Sequence, residues 1–308
     1  MGMRSWTMLV RRELWEHRAL VWAPLAIAAL IVVGALFSTQ VTGGITIDVE
    51  TDEATFFAAL STDPLRQSQL FAVWMGALMI PQLAVGLIVV FFYLLDSLYA
   101  ERKDRSILFW KSLPISDFAT VGSKAFVALV AMPLWIWMLS LIAGLGVFAA
   151  VTLRVSGTAL DPLAQFHALT WVMLQGTLLI DLVVASLWYA PIAAYLMVAS
   201  AFAHRAPVLW AVLPPLGVIV AERVVFDTSY VASALGYRLA GFFQEFNPGF
   251  RSDGESVDTD RIFSAIGESF EGLNAAPLLA SIDLWLGVLA ALVLLGVAAR
   301  LRRWRDDG

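Results

Sequence analysis

Of the 308 residues, 60% are hydrophobic and only 15% are charged, with mean hydropathy +0.78. Soluble globular chains carry about 25% charged residues, so this composition excludes that class. The net charge of −5 constrains little because the charges are segregated along the chain, and the absence of Cys excludes a disulfide scaffold, thiolate metal sites and Cys nucleophiles.

The chain opens on MRSWTMLVRRELWEHRAL. At helical spacing Trp6, Leu9, Val10 and Leu14 share one face, while Arg4, Arg11, Arg12 and Arg18 fall mostly on the other. A basic helix with a Trp and Leu face tends to lie in the membrane interface. The apolar run that follows is too long for a signal peptide and lacks a clear small-residue cleavage site, so a retained span is expected.

A bilayer core of about 30 Å needs about 20 apolar residues as helix. Six segments meet this need: 19–37, 70–95, 125–153, 168–203, 206–221 and 278–299. The first three hold no charge, the fourth holds only Asp181 and the sixth only Asp283. The fifth is short, and Pro214-Pro215 predicts a kink in it. The fold class expected is therefore an all-α integral membrane protein of six transmembrane helices, with 1–308 as one transmembrane unit.

Six spans put both termini on one side, with the loops after the second and fourth spans. Fourteen of the 20 Lys and Arg fall there, in four groups: Arg4 to Arg18, Arg102 to Lys124, Arg205, and Arg300 to Arg305. The positive-inside rule makes that side cytoplasmic. The expected location is a cell membrane, a bacterial inner membrane first, with the chain multi-pass. The opposite segments are acidic: IDVETDE and the 226–277 loop, which separates the fifth and sixth spans. In that loop Val231–Phe246 and Ile262–Leu273 recur at helical spacing around Asn247-Pro248-Gly249, so two amphipathic outer helices are predicted.

No G-x-x-x-x-G-K-[ST] loop, H-E-x-x-H pair or G-x-S-x-G elbow occurs. The three histidines lie on different segments, so no metal site is expected. Asp181, read as central in the fourth span with Gln175, Thr177 and Ser186 nearby, is either a functional carboxylate or a buried polar anchor. The carboxylate reading leads to an ion-coupled carrier; a third reading is a non-transporting scaffold or sensor whose long loop binds a partner. No catalytic residue and no nucleic-acid partner is expected.

After the second span the chain reads DSLYAERKDRSILFWKSLPIS (Asp96–Ser116). Glu101-Arg102-Lys103-Asp104-Arg105 is expected to stay solvated at the helix end. Ser106–Leu113 allows about two helical turns, Pro114 stops them, and Ser116-Asp117 caps the next helix. This stretch, with Lys124 opening the third span, VRRELWEHR at the N-terminus and a long helical loop before the sixth span, resembles the permease subunits of type-2 ATP-binding-cassette transporters.

The resemblance implies a non-enzymatic subunit that pairs with a second permease subunit, in the first place as a homodimer. Two copies of a separate ATP-binding subunit would attach, holding ATP and magnesium, with no cofactor on this chain. Glu101, Arg102, Arg105, Ser106, Leu108, Phe109, Leu113 and Pro114 would form the coupling helix gripped by the ATPase. Arg11, Arg12 and Glu13 would belong to the connecting helix beside it. Export is the usual direction in such subunits, while the almost uniformly apolar spans themselves point to a hydrophobic or amphipathic cargo rather than a bare ion.

Overall fold

The computed structural model describes residues 3–37, 75–104, 115–155, 166–246 and 275–304. The protein is an all-α membrane protein, with six helical segments long and apolar enough to cross a bilayer. They are Ala19–Phe37, Met75–Lys103, Asp117–Leu153, Ala168–Phe202, Pro207–Phe226 and Ile282–Trp304. These match the six expected spans to within a few residues at most ends. The second and third depart most: the second runs on to Lys103, eight residues past 95, and the third starts eight residues before 125 because Ser116 caps it, Ser116 Oγ accepting from Ala119 N at 3.2 Å.

In chain order the helices are α1 (Met3–Glu16), α2 (Ala19–Phe37), α3 (Met79–Asp96), α4 (Tyr99–Lys103) and α5 (Asp117–Phe126). A π-helical turn, Val127–Ala131, joins α5 to α6 (Met132–Val155). Then follow α7 (Ala168–Phe202), α8 (Pro207–Phe226), α9 (Tyr230–Phe246), α10 (Ala275–Ala280) and α11 (Ile282–Trp304). The π-helical turn sits directly before Pro133, which has no N–H to donate to Leu129 and whose ring crowds that carbonyl.

Apolar side chains all round a helix cannot select a buried face, so small residues decide where helices meet. Ala190 and Ala194 of α7 pack with Ala291 of α11 in a seam without bulk. Gly86 lets α3 approach α6, since a Cβ there would stand 2.3 Å from Ile136 Cδ1. By contrast α8 keeps only Ala211 buried and presents Leu213, Leu216, Val220 and Val224 outward.

α1 forms as predicted, and its apolar face turns onto the bundle. Leu9 is buried, and Trp6 meets Phe126 edge-on at 6.0 Å. What α1 leaves for an interface is the Met8, Arg11 and Trp15 edge, where the Arg11 guanidinium lies 4.9 Å above the Trp15 ring.

The first predicted loop helix is α9; the second, 262–273, lies outside the described residues. Glu222, near the end of α8, caps α9. It accepts from Thr228 Oγ1 (2.9 Å), Tyr230 N (2.7 Å) and Val231 N (2.8 Å), while Arg223 pairs with Asp227 at 3.3 Å. The reason is positional: the chain reverses at Asp227 with φ 49°, which turns the free N–H groups of α9 back onto Glu222.

Candidate functional site

Both terminal helices and both flanks of segment 105–114 converge at one end of the bundle. Glu13, near the end of α1, is fully buried, and so is Lys124, in the last turn of α5. The Lys124 ammonium donates to Glu13 Oε1 and Oε2 at 2.9 and 2.8 Å and lies 3.2 Å from Glu101 Oε1. Tyr93, one turn before the end of α3, donates its hydroxyl to Glu13 Oε2 at 3.1 Å.

Glu101, on α4, draws in two further cations. Arg302 of α11 donates Nε and Nη2 to its Oε2 at 3.2 and 3.0 Å, and Arg12 donates Nη2 to its Oε1 at 3.3 Å. Arg302 also donates Nη1 to Asp117 at the start of α5. Three carboxylates (Glu13, Glu101, Asp117) thus face three cations (Arg12, Lys124, Arg302) in one knot, with the more exposed Glu16 pairing to Arg12 at its edge. Burial of unpaired ions at such a depth would cost several kcal/mol each, so the pairing is a condition for the fold.

The expectation that Glu101 stays solvated is corrected: it is 5% exposed. The cause is the turn at Ser97-Leu98, which ends α3 and swings α4 inward. Ser200 Oγ accepts from Leu98 N and Tyr99 N at 3.1 and 3.0 Å. Arg102 donates to Ser200 O and Ala203 O at 2.6 and 2.9 Å, tying the last turn of α7 to the same place. Arg11 is exposed, whereas Arg12 is mostly covered and also bonds Glu16 at 2.7 Å. Arg105, Ser106, Leu108, Phe109, Leu113 and Pro114 lie outside the described residues.

Sequence reasoning left Tyr93, Arg302 and His17 out of this site. Lys124 and Asp117 were noticed only as the opening and the cap of the third span. A lysine set in GSKAFVAL, with apolar neighbours on one side and small ones on the other, was the available signal for a buried cation. Arg302 carried none, because RLRRW offers three arginines and only the fold selects one.

His17 sits between α1 and α2, its ring 4.8 Å from and edge-on to Tyr93. Burial, and then the Lys124 charge, lower its pKa below the ordinary 6.5. An unfolded chain therefore takes up this proton at higher pH than the folded one. Stability should fall as pH drops below about 6.5 and level off beneath the folded pKa. The thermal midpoint of the purified protein, followed from pH 7.5 to 5, should show that loss, and His17→Gln should flatten it.

Asp181 stands on α7, apart from the knot. It is half-buried, and its Oδ1 has no hydrogen-bond partner; Ser186 donates to the Leu182 carbonyl instead. α7 is 35 residues long, about 52 Å at 1.5 Å per residue, and Arg102 fixes its end at the knot. Measured from Ser200, Asp181 lies about 28 Å along the helix.

No family model, curated protein or solved structure matches the chain.

Proposed function

We propose that this chain is the transmembrane subunit of an ATP-driven transporter of the ATP-binding-cassette type, moving a hydrophobic or amphipathic cargo. A separate ATPase would grip segment 101–114. The observation that carries the reading is the knot. Glu101 on the chain before segment 105–114, and Asp117 and Lys124 on the chain after it, belong to this one ion-paired base. A pull on that segment is passed at once to α1, α3, α5 and α11, which is what a lever needs. Rigid connection of the lever to the spans lets nucleotide binding bias one of two bundle arrangements. The wide apolar surface of α8 supports a second permease copy in the membrane.

On this reading both termini and the knot are cytoplasmic, and the ATP and magnesium belong to the partner. Reconstitution in nanodiscs with candidate ATPases tests it, reading stoichiometry and ATP turnover. Two ATPase copies per two permeases are expected. Phe109→Ala should weaken the complex by about 2 kcal/mol, roughly thirtyfold, if that ring is an interface anchor. Unchanged binding and turnover in that variant would remove the docking role.

A second reading draws on the unpartnered Asp181 Oδ1: a carrier coupled to protons or another cation. It requires uptake without any ATPase, abolished in Asp181→Asn. Transport that needs the ATPase and survives Asp181→Asn decides for the first reading.

A further inference from the structure

The end of the bundle away from the knot holds a second polar assembly. α9 runs back from the reversal at Asp227 and exposes much of its length, with Tyr230, Val231, Leu235 and Leu239 facing outward, while the Tyr237 ring packs edge-on against Trp188 at 5.4 Å. It is held along one narrow strip. Trp188 of α7, completely buried, donates Nε1 to the Arg238 carbonyl at 2.9 Å, and the Tyr189 hydroxyl donates to the Leu239 carbonyl at 3.0 Å.

The Arg238 side chain then crosses to a third helix. Its guanidinium lies 4.5 Å above the Trp188 ring, and its Nη1 donates to the Asp283 carbonyl of α11 at 3.1 Å. It gets there because residue 287 is glycine. A Cβ at Gly287 would stand 1.5 Å from Arg238 Nη2 and 2.5 Å from Cζ, so any other residue would evict the guanidinium. Inside this notch Nη2 has no hydrogen-bond partner. A donor buried without an acceptor costs free energy that release into water would return. Beneath α9 lie Val184 and Trp188 of α7, Leu278 of α10 and Leu284 of α11, an apolar cluster into which α9 sets one side chain, Phe242.

We propose that α9 is a detachable lid over this apolar cluster, and that Arg238 seated in the Gly287 notch is the latch that holds it down. The narrow strip and the unsatisfied Nη2 make the docked state one of two, and the stack on Trp188 with the Asp283 bond sets its share. The inference stands apart from ATPase coupling, since it concerns this chain alone.

The chain has no Cys, so a single introduced thiol reports without background. Val184→Cys places that thiol under the lid, at a position 1% exposed. Its reaction rate with a water-soluble maleimide is measured on the full chain in nanodiscs. Arg238→Gln and Gly287→Ala should each raise the rate about tenfold, the change that 1.4 kcal/mol gives. The two together should do no more than either alone, because both undo one contact. Gly236→Ala, on the same helix with nothing within 4 Å of its new Cβ, should leave the rate as it was.

A second thiol, Leu139→Cys, lies buried in the separate α2–α6 cluster and should stay unreactive in every background. Parent-like labelling in both latch variants would overturn the proposal, as would an equal rise at Leu139→Cys, which means general loosening. If Gly287→Ala is not recovered, Arg238→Gln and Arg238→Lys decide alone. Lysine keeps the charge and loses the flat stack, so it should fall between glutamine and arginine.

Discussion

Lys124→Met is expected to lower stability by about 3–5 kcal/mol, the range for removing one partner of a buried ion pair. Methionine fills much the same volume, so the loss is electrostatic. Glu101 keeps Arg302 and Arg12, but Glu13 is left buried with only the Tyr93 hydroxyl. Gel filtration of detergent-solubilised protein after a heating series reads the change as a large drop in the midpoint. The double variant Glu13→Leu with Lys124→Met should recover most of it, because replacing a buried pair by apolar groups is often neutral. A single variant as stable as the parent would show that water reaches Glu13 and that the knot is open. The double variant also separates holding from transmitting: it should fold with α1 no longer bound electrostatically to α5. If the lever reading is right, such a protein binds its ATPase and couples it poorly.

Trp188→Ala should cost a similar amount, about 3–5 kcal/mol, for a fully buried aromatic whose neighbours collapse only in part. Three helices lose their meeting point at once. The cavity opens among Val184, Phe242, Leu278 and Leu284, the Arg238 carbonyl loses its indole donor, and the guanidinium loses the ring beneath it. Trp188→Phe keeps a ring under Arg238 and drops the hydrogen bond, so it should cost clearly less. The same heating series ranks the two. Equal losses would assign the effect to the indole N–H alone, and little loss in either would mean that α9 contributes nothing to the bundle.

Much of this architecture was legible because its signals are of the one-dimensional kind. Length and apolarity marked six spans, Ser116 marked the start of α5, and the period of Val231–Phe246 marked α9. The knot was not legible, for a definite reason. Its members are 12, 13, 93, 101, 117, 124 and 302, and sequence shows each charge at a helix end as a solvated flank. Only the packing of α5 against α1 and α11, with Arg302 reaching Glu101 on α4, shows that they neutralise each other. The amphipathic pattern of α1 was legible too, but not what its apolar face meets: Trp6 packs against Phe126 of α5.

The π-helical turn at Val127–Ala131 has a consequence for the helix beyond it. One surplus residue in a helix winds every later side chain about 100° further round the axis. Ile136 therefore faces Gly86, and Trp137 reaches the Gln175 carbonyl at 3.0 Å, only because Val127–Ala131 holds that surplus. Below the turn, α5 is phased to the charges; above it, α6 is phased to α3 and α7. Migration of the surplus by one turn in either direction would swivel part of α6 against its neighbours while leaving Lys124 where it is. The two ends of this span can thus be reset in rotation independently of one another.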